Sequence, residues 1–350
     1  MQISLSHIVS RDNFREGVFA RDNHKCVICG KPAQDAHHIL ERRLFDNGGY
    51  YLNNGASLCS KHHIEAETTE LDAQVIRDAA GITTIVLPEH LYTEFKYDKW
   101  GNIMNPNGTR VQGELFYQET VQKILKQGNM LGLFSKYVKY PRTYHFPFSQ
   151  PNRKDDKYWS TDYYKHFEDK RVICTIKMDG ENTSMYPDHV HARSLNSEMD
   201  DTRKKVKDIW SRIAWEIPED WRLCGENLYA RHTIPYDNLE SYFYMFSIWY
   251  GNNICMSWDE MCEWADILNI ATVPVLYDGI FDANIVEDLP NDPRLKGQEG
   301  FTMRIADEFP YASFRNSLVK YVSPDFVVPH GHWRRNKIVP NNLNPNTTKY

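Results

Sequence analysis

The sequence predicts an α+β chain in which a small metal-stapled module precedes a larger region of short strands and amphipathic helices. Cysteines and histidines gather with metal-ligand spacing inside the first 80 residues. From Tyr140 to about Pro340, short β-rich runs alternate with helical patterns such as Lys204–Trp215 and Ser257–Leu268. Within that region, Tyr242-Phe243-Tyr244-Met245-Phe246-Ser247-Ile248-Trp249-Tyr250 is a continuous run suited to a buried strand. A chain of 350 residues, 41% apolar and 13% aromatic, has material for one large core or two smaller ones.

The pattern divides the chain into 1–80, a connector over 81–139, the region 140–340, and a tail over 341–350 expected to fray. In the connector, Thr83-Thr84-Ile85-Val86-Leu87 reads as a strand and Glu119-Thr120-Val121-Gln122-Lys123-Ile124-Leu125 as a short helix. No apolar stretch is long enough to span a membrane, and Met1-Gln2-Ile3-Ser4 does not begin a secretory leader. The odd count of seven cysteines fits reduced thiols, so a cytoplasmic protein is expected. A net charge of −6 exerts no global pull on nucleic acid, so a polyanion needs local basic patches. Arg203-Lys204-Lys205-Val206-Lys207 and Trp333-Arg334-Arg335-Asn336-Lys337 are the candidates.

Cys26-Val27-Ile28-Cys29 and Cys59-Ser60-Lys61-His62 are two pairs with two-residue gaps. Three thiolates and an imidazole at this spacing can close a tetrahedral Zn²⁺ shell and staple a region with little core. Near them stand residues that such a shell does not need: His37, His38, Asn54 and His63. Over about Cys26 to Glu67, the strings Ala-His-His-Ile, Asn-Gly-Ala-Ser-Leu-Cys and Ser-Lys-His-His resemble the HNH endonuclease family. The resemblance implies a ββα unit with one catalytic divalent metal held by His37 and His63. It also implies His38 as general base and Asn54 as the brace of its loop. The alternative is a zinc-stabilised module that only grips its substrate.

Further along, Lys177-Met178-Asp179-Gly180 follows the apolar run Val172-Ile173-Cys174-Thr175-Ile176. A lysine one residue before an Asp-Gly turn can present its amine at a strand end, in position to attack a nucleotide's α-phosphorus. For that it must be partly neutral, which calls for neighbouring cations or desolvation. Downstream come Cys224-Gly225-Glu226-Asn227-Leu228-Tyr229, the strand with Phe246, Glu299-Gly300-Phe301-Thr302-Met303-Arg304, and Val319-Lys320-Tyr321-Val322. From about Arg171 to Val322 this order resembles the covalent nucleotidyltransferase superfamily of ATP-dependent ligases and capping enzymes.

That resemblance implies an ATP-grasp-like adenylation domain of antiparallel sheets with flanking helices. Lys177 would carry AMP through a phosphoramidate, and Asp179 and Gly180 would line the nucleotide site. Glu226 would accept from a ribose hydroxyl, Phe246 stack on the purine and Glu299 hold Mg²⁺ or Mn²⁺. Lys320 would neutralise the α-phosphate, with Arg193 near the nucleotide or the acceptor phosphate. Many members carry a second basic residue where Val322 stands, so the phosphate clamp must draw on Arg304 or another group.

Tyr140-Pro141-Arg142-Thr143-Tyr144-His145, Leu223 to His232 and Phe246-Ser247-Ile248-Trp249 are similar to a bacterial and phage RNA-ligase family. In some of its members an HNH module precedes the ligase domain. About 28 residues follow Val322, too few for the OB-fold of many DNA ligases and capping enzymes, and no phosphate-binding Gly-x-x-x-x-Gly-Lys-Ser/Thr loop occurs. The expectation is an ATP-dependent RNA ligase that joins a 5′-phosphate to a 3′-hydroxyl, with an HNH-type domain that cuts or binds nucleic acid. No obligate protein partner is evident. The rivals are a DNA ligase or capping-type enzyme, and a zinc-dependent nuclease whose ligase-like domain only binds nucleotide.

Overall fold

The computed structural model describes residues 8–106, 108–149, 156–195, 201–327 and 338–350. The basic string at 333–337 lies outside the described residues. The chain forms two compact units, Met1–Val138 and Lys139–Tyr350. No helix among the described residues is long and apolar enough to cross a membrane.

The first unit opens on helix α1 (Arg11–Arg21), whose Ser10 cap accepts from the Asn13 N–H at 3.3 Å. An antiparallel hairpin pairs β1 (Asp35–His38) with β2 (Gly55–Leu58), and α2 (Ser60–Glu67) follows directly. Residues Cys26, Ile39, Leu58 and Ala66 bury one side of this ββα unit against Ile76 of α3 (Ala73–Ala79). A second cluster joins Leu40, Leu44 and Phe45 to Tyr97, Trp100, Leu115, Val121 and Leu125. It is framed by the short strands β3 (Lys96–Tyr97), β4 (Ile103–Met104) and β5 (Arg110–Val111) and by helix α4 (Glu119–Gln127). Residues 83–87, expected as a strand, are irregular instead. Pro88 closes the run without an N–H, and the Thr84 carbonyl accepts from the Asn53 side chain rather than from a neighbouring strand.

The second unit holds two largely antiparallel sheets. One has the spatial order β14 (Val275–Ile280), β7 (Arg171–Lys177), β15 (Gly300–Ile305), β17 (Leu318–Val322), β6 (Tyr144–His145). The other runs β16 (Phe309–Pro310), β12 (Ile254–Cys255), β11 (Phe243–Tyr250), β10 (Arg222–Asn227), β8 (Glu181–Met185), β9 (Val190–Ala192), with β13 (Ala271–Thr272) beside β11. Helices α5 (Lys204–Ile213) and α6 (Trp258–Ile267) set Val206, Ile209, Ile213 and Met261 against Leu223, Met245 and Ile248 of the larger sheet. Ser257 caps α6, its hydroxyl accepting from Glu260 N–H at 3.4 Å and donating to Glu260 Oε2 at 2.6 Å. The short helices α7 (Ala283–Asp288) and α8 (Phe314–Ser317) cover the smaller sheet with Val286 and Phe314.

The segment 341–350, expected to fray, is tied down. Asn341 is buried, donates through its side chain to the Leu228 carbonyl and accepts from Tyr236 N–H, while Asn344 N–H reaches the Leu239 carbonyl. A polar side chain that completes main-chain hydrogen bonds anchors a terminus as well as an apolar one does.

Candidate active sites

In the second unit, strand β7 belongs to the smaller sheet and β8 to the larger, so Lys177-Met178-Asp179-Gly180 is the crossing between them. A cavity of about 970 Å³ opens at this crossing. One face of the smaller sheet forms its floor. Lys177 lies opposite Gly300, and one row across the strands runs Thr175, Thr302, Lys320, His145. All of these but Gly300 line the cavity, together with Glu226, Glu299, Phe246 and Arg193.

The turn that presents Lys177 is locked by its own residues. Asp179 Oδ2 accepts from the N–H groups of Thr233 and Ile234 at 2.7 and 2.8 Å, and Asp179 N–H donates to the Tyr236 hydroxyl. One Asp179 oxygen therefore braces the chain. Gly180 N–H donates to Glu226 Oε1 at 3.1 Å, and a Cβ at Gly180 would sit 2.4 Å from the Asn227 carbonyl oxygen. Only glycine allows the two strands to approach so closely there.

Lys177 Nζ meets Glu299 Oε2 at 2.5 Å. Burial lowers the Lys177 pKa, but Glu299, Glu226 and Asp179 outweigh it and the net shift is upward. This reverses the expectation of a depressed lysine, because the carboxylates surround the amine before any nucleotide or cation draws them off. Burial and the neighbouring Glu299 push Glu226 up to about 8 against the pull of Lys177. Burial also raises Glu299, again opposed by Lys177. Burial and the Lys177 charge hold Lys320 down at about 8. Two carboxylates crowded beside two amines in a partly closed cavity suit a site that exchanges this balance for phosphate and a divalent cation.

Phe246 sits where the β10–β11 register slips between Cys224 and Gly225, so the bulge leaves it without a cross-strand partner. Its ring packs against both hydrophobic clusters and stands edge-on to Tyr140 at 5.3 Å while still lining the cavity. Arg193 donates to the Tyr140 carbonyl at 3.5 Å. Arg304, considered for the clamp, lines the cavity and is engaged in part, with Nη1 buried and without a hydrogen-bond partner among the described residues. It is buried, and its guanidinium donates to the carbonyls of Ile305 and Met256 at 2.9 and 2.8 Å, fixing the loop before α6. The patch at 203–207 is likewise not contiguous: Arg203 is buried in a forked pair with Glu181, and Val206 faces the core.

In the first unit the three thiols and one imidazole converge. Cys29 Sγ and Cys59 Sγ are 3.8 Å apart, and His62 Nδ1 lies 3.3 Å from Cys26 Sγ and 3.4 Å from Cys59 Sγ. Zn–S bonds of about 2.3 Å place tetrahedral thiolates about 3.8 Å apart, so the set fits that ion. Cys59 caps α2, and the His62 main-chain N–H is foremost among the donors that bring its thiol down to about 7.

A second group, His37, His63 and Glu67, offers three ligand atoms within 4.8 Å of one another. Glu67 Oε1 is 3.4 Å from His37 Nδ1, 3.4 Å from His63 Nε2 and 3.0 Å from Lys99 Nζ. Burial would raise the Glu67 carboxyl, yet His37, His63 and Lys99 draw it far below the usual range. Burial and the Lys99 charge hold His38 at about 4, neutral and able to take a proton. Its ring stacks on Phe14 at 4.3 Å. Asn54 accepts from Leu40 N–H and donates to the Leu40 and Gly49 carbonyls, pinning the chain just beyond His38.

Sequence reasoning passed over Glu67, although His63-x-x-x-Glu67 on one helix places both on the same face. It had no means of finding Lys99, which arrives from the β3–β4 turn. His145 stood within a quoted motif without a role.

Residues 170–322 match the RNA ligase family model. That region, under half of the chain, is thus similar in sequence to RNA ligases. No curated protein matches the chain. Solved structures similar to it include an archaeal ATP-dependent RNA ligase, with 18% identity and a TM-score of 0.37 over 53% of this chain and 48% of that one. A putative ATP-dependent DNA ligase from Aquifex aeolicus shows 19% identity and a TM-score of 0.37 over 53% of this chain and 50% of that one. A Naegleria gruberi RNA ligase variant with ATP and Mn shows 18% identity and a TM-score of 0.35 over 56% of this chain and 63% of that one. The chain spans about half the length of the first two.

Proposed function

We propose that the protein is an ATP-dependent polynucleotide ligase acting on RNA ends, working through AMP carried on Lys177. The observation that carries this reading is the convergence of Lys177, Glu226, Glu299 and Lys320 on one cavity inside the segment that matches RNA ligases. In the first step the Lys177 Nζ lone pair attacks the α-phosphorus of ATP. The bond to the bridging oxygen breaks, pyrophosphate leaves with that electron pair, and Nζ gives up a proton. Lys320 opposes the charge on the α-phosphate oxygens, Glu226 accepts from a ribose hydroxyl, and Phe246 offers its face to the base. Glu299 would hold a divalent cation, which supplies charge neutralisation at the phosphate when bound. A cation held by Glu299 would draw off the carboxylate that most favours the charged form of Lys177. A 5′-phosphate oxygen then attacks the AMP phosphorus and the P–N bond breaks with protonation of Nζ. Finally a 3′-hydroxyl attacks the activated end and AMP departs.

For the first unit we propose an HNH-type module, with Zn²⁺ on Cys26, Cys29, Cys59 and His62. A divalent ion on His37, His63 and Glu67 would serve phosphodiester cleavage, with His38 taking the proton from water.

The ligase reading is tested by incubating the protein with α-labelled ATP and Mg²⁺, then separating under denaturing conditions. A covalent label on the wild type and none on Lys177→Ala is expected. An unlabelled wild type, or equal label on both, sinks the reading. Nucleic-acid cutting that survives His38→Ala would count against the nuclease part alone.

A further inference from the structure

Val322 puts no second basic side chain beside Lys320 on its strand, and Arg304, which also lines the cavity, spends Nε and Nη2 on carbonyls and keeps only a buried Nη1 without a hydrogen-bond partner among the described residues. The structure offers another group beside Lys320. His145 of β6 is the register partner of Lys320, and both line the cavity. The imidazole is 2% exposed, yet Nε2 has no hydrogen-bond partner among the described residues. A buried ring nitrogen left unsatisfied beside an open cavity is costly unless a ligand completes it.

The surroundings select which nitrogen carries the proton. Val322 N–H donates to Ser149 Oγ at 3.0 Å, and Ser149 Oγ lies 2.9 Å from His145 Nδ1. With one lone pair taken by Val322, the serine hydroxyl can give its proton to Nδ1, which leaves the ring proton on Nε2. Asp156 Oδ1, 3.6 Å from Nε2, favours the same tautomer but is too distant to consume the donor. Tyr158 stacks on the ring at 4.9 Å and fixes its plane. Thus the backbone of the residue that lacks a basic side chain helps aim a histidine.

We propose that His145 Nε2–H donates to a non-bridging oxygen of the nucleotide's α-phosphate and, with Lys320, completes the phosphate clamp. The inference rests on the ligase reading above. In the adenylation step the bonds made and broken are those already given. His145 keeps its proton and donates a hydrogen bond that strengthens as negative charge builds on the phosphate. Burial and the Lys320 charge keep the ring neutral, held at about 4, so the donor is a neutral N–H throughout the working pH range.

The test is single-turnover adenylation of the full chain with saturating ATP and with the two diastereomers of ATPαS. His145→Ala is expected to slow labelling about 100- to 1,000-fold, the scale of losing one oxyanion donor. His145→Gln, which keeps an N–H, should recover part of that loss. In the wild type, sulfur at the oxygen facing His145 should slow one diastereomer selectively, and His145→Ala should abolish that selectivity. Should His145→Ala fail to fold by its melting curve, Ser149→Ala frees the ring tautomer and should weaken the same selectivity. Wild-type rates in these variants, or equal slowing of both diastereomers, overturn the clamp while the ligase reading stands. An unlabelled wild type overturns both.

Discussion

Lys177 and Lys320 share one floor yet are biased in opposite directions, and the reason is which charges reach each amine. Carboxylates from three strands and turns close around Lys177 and favour its ammonium, whereas burial and Lys177 itself disfavour the charge on Lys320. The consequence is a pH dependence with a definite sign. A base whose pKa is lowered to about 8 is charged below that pH and neutral above it. The apparent affinity for ATP should therefore weaken as pH rises through about 8. Lys320→Arg, charged across that range, should remove this weakening and leave only the change due to Glu226, which is also held at about 8. Identical pH profiles of the ATP KM between 7 and 9 in the wild type and Lys320→Arg would remove Lys320 from the clamp.

At the scale of elements, the site depends on how closely strands approach. Gly300 takes φ +152°, and a Cβ there would lie 2.1 Å from the Tyr321 carbonyl oxygen. The neighbour is backbone in a paired strand and cannot yield without breaking the β15–β17 ladder that seats Glu299 beside Lys177. Gly300→Ala should thus cost about 1–3 kcal/mol of stability, the range for forced overpacking. It should also slow covalent labelling more than it lowers the melting temperature alone would explain. A variant with wild-type melting and labelling would show that the strands have slack there. Much at this scale was legible in advance. The apolar runs marked β7 and β11, and the helical period over Ser257–Leu268 marked α6. The run at 83–87 misled because β propensity cannot supply a partner strand.

For the molecule as a whole, the two units rest on different physics. The second buries two aromatic-rich clusters around its sheets. The ββα part of the first buries a smaller one beside a set of thiols and an imidazole. If those four groups hold Zn²⁺, chelation should remove a separate thermal transition from calorimetry. Lys177 labelling should persist, since the described residues that line that cavity belong to the second unit. Substoichiometric zinc in the purified protein, or a melting profile indifferent to chelator, would count against the staple.

The sequence by itself determined the local signals: a lysine before an Asp-Gly turn, and three cysteines and a histidine at metal-ligand spacing. Those signals are local, because strand ends, tight turns and two-residue gaps are written in neighbouring residues. The tertiary structure alone decided which partners reach them. Lys99 and Glu67 meet across about 30 residues of sequence. Glu299 closes on Lys177 through strand register, Arg304 gives Nε and Nη2 to carbonyls, and His145 arrives beside Lys320 through a parallel pairing. Charge interactions depend on distance in space and on burial, and neither is carried by spacing along the chain.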